Sequence, residues 1–145
     1  MRVIIKAPLF PTESEEKVVR ALEKLFPGVD FNVEGEGRFR EVVGTCECVT
    51  CLETLRSLLR RQRILDSARS YLYRGREAGV VRLYINKQAA YVGKVSFCSY
   101  EFGESPLGAI VVTVEVGERF EEFVNWLAPA TVNGRPVNEV ETIEC

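Results

Sequence analysis

The chain has 145 residues, of which 46% are hydrophobic and 28% are charged, a balance typical of a single globular domain. Its apolar runs are far shorter than the roughly 20 residues that cross a bilayer, so we expect no membrane span and a cytoplasmic protein. It contains no histidine, which excludes a Ser-His-Asp triad and removes the commonest general base. Since no nucleophile–base pair or cofactor fingerprint is visible either, we expect neither an enzyme nor a bound cofactor.

The charges are segregated along the chain. Residues 56–94 carry ten Lys and Arg against two acids, a net charge of +8. Residues 1–55 have a net charge of −3 and residues 95–145 have one of −7, so the total of −2 conceals a strongly basic centre. Such a segment predicts a local anion-binding surface, and RNA is the partner that we expect.

The first third of the chain predicts a strand, a helix and a hairpin. Val3–Ala7 is rich in β-branched residues and should end at Pro8. Thr12, followed three residues later by a glutamate, has the form of a capping box and should begin an amphipathic helix that ends before Pro27-Gly28. Residues 29–45 alternate apolar and polar side chains around a Gly-Glu-Gly turn, a pattern typical of a hairpin.

The longest helical pattern, at residues 51–74, contains two hydrophobic stripes. Leu55 and Leu59 lie on one face, whereas Leu65 and the apolar residues after it lie on a face rotated by roughly 140° at 3.6 residues per turn. A single straight helix could bury both stripes only if it were buried on two sides. We therefore predict a break at Arg61–Arg63 that divides the segment into two helices.

The second half of the chain alternates short strands with short helices. Asn133-Gly134 is the signal of a tight turn. Strands that follow one another directly, without a repeated βαβ unit, indicate an α+β domain at residues 1–137, with a mixed, largely antiparallel sheet and helices packed on one face in two layers. Residues 138–145 should form a loose acidic tail. The predicted strands are Val80–Ile85, Lys94–Ser99 and Ile110–Val116, and the predicted helices are one turn within Asn86–Val92 and Gly117–Leu127.

The basic centre places arginines where the two predicted helices meet. Guanidinium groups keep their charge and match phosphate oxygens as bidentate forks, whereas glutamine amides can reach base edges or 2′-hydroxyls. Tyrosines interleave with these charges and could stack on unpaired bases. The predicted RNA-binding residues are Arg56, Arg60, Arg61, Gln62, Arg63, Arg69, Lys87, Gln88 and Lys94. The interleaved tyrosines are Tyr71, Tyr73, Tyr84 and Tyr91.

Two other interpretations of the basic centre stay open. It could be an ordinary solvated helix face, with Asp66 paired to Arg63 and Arg69, or the acidic flanks could fold onto it and neutralise it. It could also belong to a protein-interaction or self-association module, such as a homodimer, that binds no nucleic acid.

Five cysteines are present, and three of them form a C-x-C-x2-C cluster at Cys46, Cys48 and Cys51. Three thiolates at this spacing could ligate zinc, with Cys98 or Cys145 as a fourth ligand, although structural zinc sites usually combine two such knuckles. The C-x2-C pair alone would suit redox chemistry. The remaining alternatives are a local disulfide and buried free thiols, so we expect no metal and keep the cluster as a secondary zinc candidate.

Several strings, in the same order over residues 3–131, resemble an uncharacterised archaeal family of small RNA-binding proteins. The fold of that family is similar to that of the large-subunit ribosomal protein that contacts 5S RNA. The resemblance therefore implies a ribosomal-protein-like α+β fold, an RNA partner and an archaeal, thermophilic source, and the cysteine cluster is not part of the pattern. The strings are APLFPTESEEKV, ALEKLFP, LLRRQRILDSAR, YINKQAAYVGKVSF, PLGAIVV and LAPAT. The resemblance singles out, without assigning roles, Arg60, Gln62, Arg63, Asp66, Arg69, Asn86, Lys87, Gln88 and Lys94.

Overall fold

The computed structural model describes residues 1–104 and 106–145, and in those residues it contains nine strands, five α-helices and a short 3-10 helix at Val49–Leu52. The strands are β1 (Val3–Leu9), β2 (Phe31–Glu34), β3 (Arg40–Cys46), β4 (Arg76–Glu77), β5 (Val80–Asn86), β6 (Phe97–Cys98), β7 (Ala109–Glu115), β8 (Thr131–Val132) and β9 (Arg135–Pro136). The helices are α1 (Glu15–Leu25), α2 (Glu53–Arg61), α3 (Leu65–Arg74), α4 (Lys87–Tyr91) and α5 (Phe120–Leu127). None of these helices has the length and apolar character needed to span a bilayer.

Seven strands form one sheet in the order β2-β3-β1-β7-β5-β4, with β6 also paired to β5, while β8 and β9 form a separate hairpin. All pairings among the described residues are antiparallel, which confirms the α+β class and corrects the expectation of a mixed sheet. The connection β1–α1–β2 explains why no parallel pairing forms. These two strands run parallel, as a helical crossover requires, but β3 lies between them and pairs antiparallel with both.

One face of the sheet is covered by helices and the other is open. Ile5, Val112 and Leu83 form one row across three strands and are buried, whereas Ile4 and Thr113 in the next row are only partly buried. This alternation is the period-2 pattern of an antiparallel sheet with one covered face. The helical half of the core includes Leu22, Leu55, Leu59, Leu72, Phe123 and Trp126.

The predicted break in the long helical segment is confirmed. Helix α2 ends at Arg61 and α3 begins at Leu65, and between them Arg63 adopts a left-handed conformation with φ of 57°. The N–H of Ile64 bonds to the carbonyl of Leu59 at 3.0 Å, which closes the bend. The two hydrophobic stripes are both buried because each helix takes its own direction against the sheet.

Several predicted element boundaries are wrong. The strand predicted at Lys94–Ser99 forms only at Phe97–Cys98, and the helix predicted at Gly117–Leu127 begins at Phe120. Strand β1 continues through Pro8 to Leu9, because its ladder with β7 ends at Lys6 and the missing proline N–H disturbs no pairing on that side. Helix α1 is capped by Ser14, whose hydroxyl accepts a 3.4 Å hydrogen bond from the Lys17 N–H, so the predicted capping box does not form.

The C-terminal segment lies against the domain instead of forming a loose tail. The N–H of Val140 bonds to the carbonyl of Asn125 at 3.1 Å, and the side chains of Val140 and Ile143 pack on the core. The predicted turn before it is confirmed, since Asn133 and Gly134 join β8 to β9 with positive φ angles of 53° and 77°.

Candidate nucleic-acid interface

Arg56 and Arg60 project from α2 toward the C-terminal end of α5. The Nε of Arg56 donates a 2.8 Å hydrogen bond to the carbonyl of Trp126, and Arg60 donates to the carbonyls of Trp126 and Leu127 at 3.3 Å. The Glu139 carboxylate bridges both guanidinium groups, at 3.0 Å from Arg56 and 2.5 Å from Arg60. Since the last carbonyls of a helix lack backbone partners and carry the negative end of its dipole, these arginines cap α5.

Arg69 on α3 contributes to the same cap. Its guanidinium group donates to the side-chain oxygen of Asn125 at 2.9 Å and to the carbonyl of Ala128 at 3.2 Å. The pairing of Asp66 with nearby arginines is not observed, because Asp66 accepts a 2.7 Å hydrogen bond from the hydroxyl of Thr131. Three of the predicted phosphate-binding arginines are therefore engaged inside the fold.

Gln62 connects the α2–α3 break to the segment before β6. Its amide nitrogen donates to the carbonyl of Val95 at 2.9 Å, and its amide oxygen accepts from the Val95 N–H at 2.8 Å. Both ends of the amide are thus used by the backbone and do not read a base. The same contact holds the backbone of Val95, which follows Lys94 in the chain, against the side chain of the residue between Arg61 and Arg63.

Lys87 is fully buried, with 0% of its side chain exposed, and this burial removes it from the set of RNA contacts. Its ammonium group lies 2.6 Å from the Glu13 carboxylate and 2.6 Å from the Pro8 carbonyl. The hydroxyl of Tyr91 donates to the other oxygen of Glu13 at 3.1 Å. Burial lowers the pKa of Lys87, an effect that Glu13 opposes. Burial and the Glu13 carboxylate raise the pKa of Tyr91 from 10.0 to about 12.

Four of the predicted contact residues face solvent, and we call them the basic corner: Arg61, Arg63, Gln88 and Lys94. The N–H of Lys94 donates to the carbonyl of Ala89 at 3.1 Å, which holds the segment against α4. Within residues 1–104 and 106–145, none of the three cations of the basic corner forms an ion pair. Exposed cations without an ion-pair partner thus lie on two segments that the Gln62–Val95 hydrogen bonds hold in contact.

A cleft of 430 Å³ opens beside the basic corner, between the α2–α3 break and the β8–β9 hairpin. Arg63 belongs to both the corner and the cleft, and Arg135 lies exposed on the hairpin. The cleft therefore joins one cation of the basic corner, Arg63, to backbone groups of a tight turn, with the Asp66 carboxylate also in its lining. Its lining includes Arg60, Arg63, Asp66, Thr131, Asn133 and Gly134.

Two of the interleaved tyrosines make intramolecular contacts that compete with base stacking. The guanidinium group of Arg74 lies over the ring of Tyr71, 4.2 Å from its centroid. The hydroxyl of Tyr73 donates to the Glu121 carboxylate at 2.9 Å, and burial together with this hydrogen bond raises the pKa of Tyr73. The most exposed aromatic ring, that of Phe39, lies outside the basic centre.

Four of the five cysteines form disulfides. Cys46 is bonded to Cys51, and Cys48 is bonded to Cys145 across 97 residues, which confirms the disulfide interpretation. The zinc and C-x2-C redox interpretations do not fit this structure, because the sulfurs of Cys46, Cys48 and Cys51 are all in disulfide bonds. Cys98 is a buried free thiol, and burial raises its pKa.

The chain belongs to the RNA-binding family whose sequence model matches residues 2–116. It is also similar to archaeal proteins named UPF0201. The protein from Metallosphaera sedula is 43% identical over 136 residues, which cover 94% of this chain and 93% of that one. A UPF0200/UPF0201 protein from Archaeoglobus fulgidus is 38% identical over 144 residues, and here the chain spans 42% of the relative's length.

The fold is shared with a solved relative. The crystal structure of the UPF0201 protein from Methanococcus jannaschii superposes with a TM-score of 0.82 at 35% identity, covering 95% of this chain and all of that one. A second UPF0201 crystal structure has a TM-score of 0.78 at 38% identity. These matches agree with the family resemblance of the sequence strings, whereas the likeness to the 5S-RNA-contacting ribosomal protein stays a prediction.

Sequence reasoning missed two residues that matter for the surface. The sequence places Glu139 in a loose tail, whereas the structure pairs its carboxylate with two arginines of the predicted stripe. The hairpin pattern of residues 29–45 gives no special place to Phe39, which is 88% exposed at the hairpin tip between Arg38 and Arg40. The Arg-Phe-Arg string beside a glycine turn was the available signal for the second of these.

Proposed function

We propose that the protein binds RNA and that the basic corner holds its phosphate backbone. The observation that carries the proposal is the pair of Gln62–Val95 hydrogen bonds, which join the segment of the exposed Arg61 and Arg63 to the segment of the exposed Lys94. Cations that have no internal carboxylate partner keep their attraction for phosphate oxygens. Membership of an RNA-binding family supports the choice of partner.

Besides its charges, the basic corner has a hydrogen-bonding amide at Gln88 and a neighbouring cleft. The exposed Gln88 lies on α4, the helix that the Lys94 segment contacts, and its amide suits a base edge or a 2′-hydroxyl. Phosphates that follow the surface from Lys94 to Arg63 would reach the cleft beside the β8–β9 hairpin. We infer binding as the role of this surface, because the exposed side chains of the basic corner are cations and an amide, which match phosphate oxygens and base edges.

Salt dependence tests the proposal directly. Binding of a labelled single-stranded RNA is measured by fluorescence anisotropy at several salt concentrations. Three neutralised phosphates predict a slope of log K against log salt of about −2, since each contact on single strands contributes roughly −0.7. A flat slope, or no binding at low salt, would overturn the proposal.

Two matched triple variants locate the site. The first carries Arg61→Gln, Arg63→Gln and Lys94→Gln, and it should lose most of the slope and of the affinity. The second removes the same charge elsewhere, through substitution of other exposed cations by glutamine, and should keep most of both. Equal losses in the two variants would mean that net charge, not the basic corner, drives binding. The control positions, which are exposed and form no ion pair within the described residues, are Arg2, Lys17 and Arg76.

The competing function is self-association without nucleic acid. Exposed apolar side chains favour it, since Val92 and Tyr100 are 70% and 69% exposed. Light scattering of the protein with and without RNA separates the two. RNA binding by a particle of constant protein mass supports our proposal, whereas a stable oligomer that ignores RNA favours the competitor.

A further inference from the structure

An apolar groove lies between the tip of the β2–β3 hairpin and the loop that follows β6. Its volume is 520 Å³, which is within the range of small-ligand sites, and three phenylalanines and two arginines contribute to its lining. These five lining residues are Phe10, Phe39, Phe102, Arg38 and Arg40. None of them belongs to the basic corner, so the groove is a separate surface.

The hairpin holds Phe39 in an exposed position. The N–H of Phe39 donates to the carbonyl of Glu36 at 3.1 Å, which closes the turn. Gly35 adopts φ of +91°, and a Cβ at this position would lie 2.1 Å from the Phe39 carbonyl oxygen. Glycine is therefore required for this turn, and the turn presents a ring that is 88% exposed.

The opposite wall of the groove is also fixed by the backbone. Phe102 is 55% exposed, and its ring meets that of Phe10 edge to face at 6.4 Å between centroids. The N–H of Ala109 donates to the carbonyl of Glu101 at 2.8 Å, which ties the loop to β7. Two exposed rings on tethered loops, with a third ring behind them, form a preorganised platform.

The charges around the groove favour an anionic occupant with flat apolar parts. Arg38 and Arg40 flank Phe39, and neither forms an ion pair within the described residues. Of the two carboxylates in the lining, Glu41 lies 3.8 Å from the ammonium group of Lys6, so Glu101 is the one unpaired carboxylate against two guanidinium groups in the described lining. A nucleotide matches this pattern, because its base stacks on aromatic faces while its phosphates pair with arginine.

We propose that this aromatic groove binds an unpaired RNA base, with Arg38 and Arg40 on the flanking phosphates. The inference rests on the proposed RNA-binding function and adds a preference to it. The basic corner attracts any phosphate backbone, whereas the groove accepts only a base that is free of the helical stack. The protein should therefore prefer single-stranded or looped RNA over a continuous duplex.

The test compares a single-stranded RNA with a duplex of equal length, using wild-type protein and two variants of one position. Phe39→Leu keeps an apolar side chain but removes the aromatic face, and Phe39→Trp enlarges that face. Loss of one stacked base weakens binding roughly 5- to 150-fold. We expect Phe39→Leu to lose affinity for the single strand within this range, with duplex binding and the salt slope unchanged. Phe39→Trp should retain single-strand binding.

Each outcome separates this inference from the proposed function. If wild-type protein binds no RNA, both fail. If it binds RNA with the expected salt slope but Phe39→Leu matches wild type on single strands, the groove is not a base-binding site and only the inference fails. If Phe39→Leu lowers the protein's mass in light scattering, the groove is an interface between copies of the chain, which also overturns the inference. Since Phe39 is largely exposed, circular dichroism should show that both variants fold as wild type does.

Discussion

Substitution of Lys87 by methionine should destabilise the fold and leave RNA binding intact. In the structure Lys87 is completely buried and Glu13 is 5% exposed, so the substitution strands a carboxylate away from water. The variant also removes the hydrogen bond from Lys87 to the carbonyl of Pro8. Removal of one partner of a buried ion pair typically costs 3–5 kcal/mol, and we expect a loss of about 4 kcal/mol in the free energy of unfolding. In a domain of this size that corresponds to roughly 8–16 °C in Tm.

A double-mutant cycle refines this expectation. Glu13→Gln alone leaves a buried ammonium group with neutral acceptors, and it should also be strongly destabilising. The combination of Lys87→Met with Glu13→Gln strands no charge, so its cost should be smaller than the sum of the single costs by about 1–3 kcal/mol. Urea unfolding followed by circular dichroism gives all four free energies.

A matched exposed lysine provides the control. Lys94→Met should change the free energy of unfolding by no more than about 0.5 kcal/mol, because Lys94 is exposed, yet it should weaken RNA binding and reduce the salt slope. The reasoning is refuted if Lys87→Met is as stable as wild type. It is refuted equally if the folded Lys87→Met protein loses RNA affinity as Lys94→Met does, since that result would mean that Lys87 contributes to RNA binding.

Three further predictions concern the disulfides, a tyrosine and the helix break. Cys145→Ser removes the disulfide to Cys48, which spans 97 residues, and should lower the free energy of unfolding by about 4–5 kcal/mol. In the variant, the difference in Tm between oxidised and dithiothreitol-treated protein should be much smaller than in wild type. The pKa of Tyr91 is raised to about 12 in the folded protein, so between pH 10 and 12 the folded state binds more protons than the unfolded state. The free energy of unfolding should therefore fall as pH rises through this range. Tyr91→Phe should reduce that fall, as measured by urea unfolding at several pH values. Arg63→Gly relieves the left-handed backbone and should raise stability by up to about 1 kcal/mol while weakening RNA binding.

Each of these has a clear contrary result. Identical Tm values for Cys145→Ser and oxidised wild type would mean that this disulfide does not stabilise the fold. An unchanged pH dependence in Tyr91→Phe would remove the phenol–carboxylate contact with Glu13 as its cause. A destabilised Arg63→Gly variant would show that the arginine side chain, not the backbone conformation, determines the bend.

Local patterns predicted the architecture well where neighbours in sequence decide the outcome. The break at Arg61–Arg63 follows from two stripes that one helix cannot bury together, and the Asn133-Gly134 turn follows from residues that accept positive φ. The β1 boundary failed at Pro8 because the outcome depends on where the ladder with a distant strand ends, which no local pattern shows.

The candidate site was predicted only in part, for the same reason. The basic centre correctly indicated exposed cations at Arg61, Arg63 and Lys94. It could not reveal that Lys87 faces Glu13, 74 residues earlier, or that Glu139 lies against arginines about 80 positions before it. Side-chain charge is visible in a sequence, but the partner that neutralises it is chosen by tertiary contacts.

The place of β1 in the sheet has a consequence for biosynthesis. Strand β1 lies between β3 and β7, and Val3 pairs with Val114, so its second neighbour is translated more than a hundred residues after it. At roughly 5–20 residues per second the nascent chain must hold that unpaired edge for several seconds or longer before the sheet can close. The emerging polypeptide is therefore exposed to aggregation in this interval, and ribosome-associated chaperones would protect it most between synthesis of β3 and of β7.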